Sequence, residues 1–332
     1  MLKRFIIFIF KKLLYRLLKI WVGLAMKIFC RKVVISHPEK LKLKGPLILA
    51  CNHPNSFLDA IILDVLFDEP LHPLARGDIF KNPVYAKLLK ALRMLPVYRV
   101  SEGAEFLNIN YETFEDCKAI FRNNGIVLVF VEGRCINEWR LRPLKKGAAR
   151  LAFSSWEQGT GVQVLPIGIN YSSFRRFGKN IFLHFGNIIS QHDINENGSD
   201  GKQYLAFNHL VHTELKNLVY EIPAHDKILQ EKKLVIRPSA LTKILLAAPA
   251  AAGWLIHAPL YVPLRSFAFR KTSHNDHYDA VLTALLVFLY PFYTLLIALM
   301  VFAFTQSWLS FLLLIVLPFT AWGYVHLKGQ LD

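Results

Sequence analysis

Ile48-Leu49-Ala50-Cys51-Asn52-His53-Pro54-Asn55-Ser56-Phe57-Leu58-Asp59-Ala60-Ile61-Ile62-Leu63 decides how this chain is read. The apolar run from Pro46 to Ala50 reads as a short buried strand, and apolar residues at helical spacing resume at Phe57. Asn52, His53, Asn55, Ser56 and Asp59 therefore fall where a strand hands over to a helix, which is where open α/β sheets carry their reactive groups. A histidine a few residues from a carboxylate is the smallest unit of base catalysis. The carboxylate fixes the imidazole tautomer and stabilises the imidazolium that forms when a proton is taken. The same residues also suit a helix start, with Asn55 or Ser56 as cap and Asp59 in the first turn. The stretch alone does not separate the two readings.

Around it, within a domain expected over residues 33–236, the chain alternates short apolar runs with helical stretches from about Val33 to Gly186. Strand-like runs are Leu47–Ala50, His72–Ala75, Ile126–Val131, Val162–Asn170 and Ile181–Phe185. Helix-like stretches are Phe57–Leu66, Val84–Met94, Phe106–Asn123 and Lys146–Trp156, followed by a polar loop over 190–205 and charged helices from Gln203 to Lys233. The alternation predicts an α/β domain, a mixed sheet flanked by helices. Three further patches stand out. One ends Met94-Leu95-Pro96-Val97-Tyr98-Arg99. Another is Phe130-Val131-Glu132-Gly133-Arg134, followed by Arg140, Arg142, Lys145 and Lys146. The third is Val164-Leu165-Pro166-Ile167-Gly168. Glycine permits close backbone approach, and arginine forks suit phosphate. Each patch alone is as well read as a turn or a solvated basic face.

The flanks point to lipid. The chain has 332 residues, 53% hydrophobic, with a net charge of +16. That combination suits an anionic membrane face, and no nucleic-acid motif is present. Cys30, Cys51, Cys117 and Cys135 are scattered, which implies neither a zinc site nor a disulfide framework, and no metal is expected. Residues 1–32 read as an amphipathic helix lying in the membrane surface, its lysines toward lipid phosphates; the alternative is the same helix packed on a soluble core. Residues 237–332 read as membrane-embedded. The 21 uncharged residues 244–264 contain Pro249, Pro259 and Pro263, and basic residues flank both ends, so the segment is expected to re-enter rather than run straight across. The 48 uncharged residues 280–327 are long enough for a hairpin of two spans joined near Thr305-Gln306-Ser307. An even number of spans keeps the α/β domain and Lys328 on the same, cytoplasmic side.

Taken together the blocks resemble the glycerolipid acyltransferase superfamily, which includes glycerol-3-phosphate and 1-acyl-glycerol-3-phosphate acyltransferases. All four of the family's blocks occur in order between Pro46 and Asn170: Asn52-His53 with Asp59, Arg99 after an apolar run, Phe130-Val131-Glu132-Gly133-Arg134, and the apolar stretch with Pro166. The chain departs from the common pattern in having five residues between His53 and Asp59, Val131 in place of proline, and a basic residue one place early at Arg134. The extra residue is expected to be absorbed in the turn before the helix.

The resemblance implies transfer of a fatty acyl group from acyl-CoA or acyl carrier protein to the hydroxyl of glycerol-3-phosphate or 1-acyl-glycerol-3-phosphate. No other cofactor is implied. His53 would take the hydroxyl proton and Asp59 would hold the ring. Asn55, Arg99, Glu132, Gly133 and Arg134 would bind or orient the acceptor, and Lys145 and Lys146 would meet donor phosphates or the lipid surface. Cys51 is expected to be core packing. His274-Asn275-Asp276-His277 is read as a loop or interface rather than a metal site. Three alternatives stay open: another acceptor, such as a lysophospholipid or an amino-acid-derived lipid; a non-catalytic membrane-remodelling relative; and a basic, nucleic-acid-binding membrane protein, against which the lack of a nucleic-acid motif speaks.

Overall fold

A computed structural model describes residues 2–98, 107–194 and 198–332. Helix α1 (Leu2–Phe29) runs directly into strand β1 (Cys30–Ile35). Strand β2 (Leu47–Cys51), helix α2 (Phe57–Leu66), β3 (Leu71–Arg76), α3 (Pro83–Ala91) and β4 (Leu95–Val97) follow. Then come α4 (Leu107–Arg122), β5 (Ile126–Phe130), α5 (Gly147–Trp156), β6 (Gln163–Tyr171) and β7 (Lys179–Phe185). Helices α6 (Asp200–Leu218) and α7 (Lys227–Leu234) close the domain, and α8 (Ala240–Thr272), α9 (Tyr278–Thr305) and α10 (Leu313–Leu327) complete the chain.

The strands form one seven-stranded sheet in the order β1-β7-β6-β2-β5-β3-β4. All neighbours are parallel except β6 and β7. The expected mixed sheet flanked by helices is therefore what forms. Strand β2 lies between β5 and β6, and every one of its residues is buried. Its side chains alternate between two cores, as the pleat requires. Leu47, Leu49 and Cys51 pack with Ile62, Leu63 and Met26 on one face, while Ile48 and Ala50 pack with Phe121, Ala149 and Phe207 on the other. A strand buried on both faces needs an unbroken apolar run, and Leu47–Cys51 supplies one. The catalytic candidates begin at the next residue, at the carboxyl end of the central strand.

The boundaries differ from expectation at three places. Strand β1 starts at Cys30, inside the segment read as helix, because Arg31 and Lys32 interrupt the apolar signal that Val33, Val34 and Ile35 carry alone. The short β4 is not separable from its neighbours by length. Helix α8 is continuous through Pro249, Pro259 and Pro263. Neighbouring helices make that tolerable: a Cβ on Gly253 would collide with the Thr320 carbonyl oxygen, so α8 and α10 approach backbone to backbone. Both ends of α8 are held at the α/β domain. Ile236, just before it, donates its N–H to Gln330 (2.9 Å), whose amide oxygen also accepts from Asn180 Nδ2 of β7 (2.6 Å), and the connector after it reaches Ser56 and Cys135.

Ala240–Thr272, Tyr278–Thr305 and Trp308–Leu327 are each long and apolar enough to cross a membrane. Helix α1 turns an apolar stripe outward: Leu13, Leu17, Ile20 and Leu24 are all more than half exposed. Its inner face does not follow the expected division of charge. Lys19 points inward and donates to the Phe67 carbonyl (2.6 Å), and Tyr15 donates to Asp64 (2.7 Å).

Candidate active site

The turn after β2 is built by its own side chains. Asn52 clamps the neighbouring strand, donating to the Ile169 carbonyl (3.0 Å) and accepting from the Ile169 N–H (2.7 Å). Ser56 takes a left-handed φ of 53° and the helix starts at Phe57, so the extra residue is absorbed in the turn. Asp59 then lies in the first helical turn, fully buried. One of its oxygens accepts from His53 Nδ1 (2.9 Å) and from the Asn55 N–H (2.8 Å), and the other accepts from the Tyr171 hydroxyl (2.6 Å). Burial first, then the Asp59 carboxylate, hold the Tyr171 phenol well above its ordinary pKa, so it keeps its proton and donates.

His53 is oriented on three sides. Nδ1–H is given to Asp59, which leaves Nε2 as the nitrogen that can accept a proton. The ring stacks on Phe130, centroids 3.8 Å apart at 13°, and its backbone N–H donates to Glu132 (2.8 Å). The side chain remains 18% exposed, while Asp59 has no exposure at all. A buried acceptor behind a partly open imidazole is the geometry of a general base with its orienting group.

Glu132 is buried and fastens a second loop. It accepts from the Arg142 N–H (2.8 Å) and pairs with the Arg142 guanidinium at 3.5 Å. That guanidinium also donates to the Arg134 carbonyl oxygen. Gly133 has a φ of +66°, a conformation that favours glycine, and a Cβ there would lie 3.0 Å from Lys145 Cγ. Lys145 ties its N–H to the Val131 carbonyl (2.7 Å), and the side chains of Arg134, Lys145 and Lys146 are exposed. The loop thus carries a basic rim beside His53.

One expected assignment changes. Asn55, expected to bind substrate, is fully buried, and its amide nitrogen donates to Asp279 of α9 (2.7 Å). Arg99 lies outside the described residues. Cys51 is buried in the core at the end of β2, and burial pushes both its thiol and that of Cys135 up in pKa, so neither offers a ready thiolate. Among the described residues no group of three or more His, Cys, Asp and Glu side chains could hold a metal ion.

Sequence reasoning missed the groups that approach from far along the chain. Tyr171 ends β6, one residue past the fourth block. Arg142 appeared there only as one of a basic run. The connector between α8 and α9 sits on the turn after β2, where His277 Nδ1 meets the Ser56 hydroxyl (2.6 Å) and Cys135 Sγ meets the Asp276 carbonyl (3.9 Å), and Asp279, in the first turn of α9, joins Asn55 to Lys179 of β7. Desolvation, then Arg76, holds the His277 imidazole below its ordinary pKa. The interface reading of His274–His277 has its physical content here.

A family model described as Acyltransferase matches residues 32–170, the stretch that holds β2, the catalytic turn, the Glu132 loop and β6 up to Asn170. The chain carries an acyltransferase domain. The resemblance drawn from the four blocks is met over that stretch, and the expectation of an enzyme is met with it. Tyr171, the third donor to Asp59, lies one place beyond the match. No curated protein matches the chain. Among solved structures the chain is similar to the crystal structure of the 1-acyl-sn-glycerophosphate (LPA) acyltransferase PlsC from Thermotoga maritima. Identity is 19% and the TM-score 0.42, over 58% of this chain and 73% of that one.

Proposed function

We propose that the domain transfers a fatty acyl group from an acyl thioester, acyl-CoA or acyl carrier protein, to the hydroxyl of glycerol-3-phosphate or 1-acyl-glycerol-3-phosphate. The observation that carries this reading is the 2.9 Å bond from His53 Nδ1 to a buried Asp59, with Nε2 left as the proton acceptor. The acceptor O–H gives its proton to Nε2 as its oxygen attacks the thioester carbonyl. The C–S bond then breaks, and the leaving thiolate takes the proton from the imidazolium. Base assistance of this kind contributes about 10²–10⁴-fold, and no acyl-enzyme is needed.

The basic rim of Arg134, Lys145 and Lys146 favours an anionic acceptor head or the donor's phosphates. Arg99 belongs to the same proposal by its place in the second block. Glu132 and Gly133 shape the loop that presents the rim, and Asn55 acts from beneath the turn rather than on substrate. The outward apolar stripe of α1 and the three long apolar helices support work at a membrane surface. In this proposal the catalytic domain lies on the cytoplasmic face. The test is a panel of acceptors with a labelled acyl donor. The reading expects phosphate-bearing glycerol acceptors to be acylated faster than lysolipids with zwitterionic heads. Equal rates across the panel would contradict it.

A further inference from the structure

A second site lies between the α/β domain and the C-terminal helices, away from the catalytic turn. A cavity of about 160 Å³ opens among α1, α8, α9 and α10, walled by Phe29, Trp254, Tyr261, Leu286 and Tyr290. Its lining is apolar apart from a few groups, and two of these, His257 Nδ1 and the Tyr290 hydroxyl, are buried without a partner. Arg265 also lines it. At the same end Lys328 stands over the rings of Phe177 and Tyr324, 5.4 and 5.7 Å from their centroids, and both rings belong to the cavity wall.

Cations gather around Lys328. The groups that act on it are Arg176, Arg265 and Arg31, all cations. Desolvation first, then these guanidiniums, push its ammonium down to about 7. The carboxylates nearby have other partners: Asp279 holds Lys179 and Asn55, Asp332 accepts from the Ser173 hydroxyl and the Phe174 N–H (3.2 Å), and Glu231 pairs with Arg237 (2.6 Å). An apolar slot lined by Arg265 and lying beside a cluster of cations asks for a ligand with a hydrocarbon chain and an anionic head. Basic pockets between membrane helices bind lipid head groups on these grounds.

We propose that this cavity binds an anionic diacyl phospholipid of the surrounding bilayer, with an acyl chain between α8 and α9 and the head-group phosphate at Arg265 and Lys328. The site goes beyond acyl transfer, since none of the residues that line the cavity belongs to the catalytic turn. Filling it neutralises the cation cluster at the joint where α10 returns to the domain. Arg31 Nη1 donates to the Lys328 carbonyl there (2.9 Å), so β1 and the end of α10 share the cluster.

The test uses the full chain in phosphatidylcholine vesicles, without acyl donor. A minor fraction of the lipid is phosphatidylglycerol with brominated chains, which quench a nearby tryptophan; brominated phosphatidylcholine at the same fraction is the reference. Subtracting the signal of the Trp254→Phe variant isolates Trp254. The expected result is stronger quenching by the anionic lipid. Each cation removed lowers that preference about fivefold and the Arg265→Gln/Lys328→Gln pair about 25-fold. Arg176→Gln, outside the membrane helices, gives the about fivefold loss if the double variant does not fold. Equal quenching by the two lipids in the wild type overturns the proposal, as does a preference that survives loss of the cations. Displacement of the anionic lipid by inorganic phosphate at constant ionic strength would assign the cations to free phosphate and overturn the lipid claim. Because binding is read without turnover, failure here leaves the catalytic reading standing, and failure of the acceptor panel leaves this one.

Discussion

The contact between Asp279 and the catalytic turn predicts that the C-terminal helices help set the rate of acyl transfer. Asp279 and Lys179 are paired with only 2% and 4% of their surfaces exposed. Removing one partner of a buried pair strands the other charge and costs about 3–5 kcal/mol, whereas replacing both with apolar groups is often neutral or stabilising. Asp279→Leu is therefore expected to lower stability by about 3–5 kcal/mol, and Lys179→Met/Asp279→Leu by no more than the loss of the Asn55 bond, about 1.5–3 kcal/mol. The double variant also takes away the acceptor of Asn55 Nδ2, a bond to a charged group worth about 1.5–3 kcal/mol. Asn55 in turn gives its N–H to Asp59, which holds the His53 ring. If that bond energy goes into holding the turn, kcat falls by about 10–100-fold at about 1.4 kcal/mol per tenfold, with KM for the donor little changed. Chemical melting and initial rates with labelled acyl-CoA measure the two effects separately. A double variant with wild-type kcat would refute the coupling, and a double variant as unstable as the single would refute the buried-charge argument.

Two further outcomes follow from the geometry. Tyr171→Phe removes one of three donors to Asp59 and is expected to cost about 1.5–3 kcal/mol; an unchanged melting midpoint would contradict that bond. His72, half-buried in β3 against the Ile126 carbonyl, is pushed by desolvation from 6.5 to about 4. Its folded pKa lies below its unfolded one, so the unfolded chain binds the proton first. Stability is therefore lost as pH falls from about 6.5 toward about 4, and the loss is expected to shrink in His72→Gln, measured by denaturant titration across that range.

The fold was readable where local pattern and tertiary role coincide. Leu47–Cys51 is apolar without interruption because both faces of β2 are buried, and Phe57–Leu66 carries helical spacing because one face packs on that strand. Where charge intrudes, the signal fails: Arg31 and Lys32 hid the start of β1. The prolines of α8 argued against a continuous helix because local cost was visible and the support from α10 was not. The site followed the same division. His53, Asp59 and the Glu132-Gly133 pair lie within short stretches whose spacing can be read. Tyr171, 112 positions from Asp59, and Asp279, 224 positions from Asn55, reach the turn only through sheet order and helix docking. Asn55 shows what burial adds to residue type, since a polar residue beside a histidine reads as a substrate contact until its amide is found facing another helix.

The most direct measurement is acyl transfer by purified His53→Ala protein beside wild type, both folded and in the same vesicles. The account predicts that the wild type acylates a glycerol-phosphate acceptor and that the variant loses about 10²–10⁴-fold of that rate while melting within experimental error of the wild type. Transfer at the wild-type rate by the variant would contradict it.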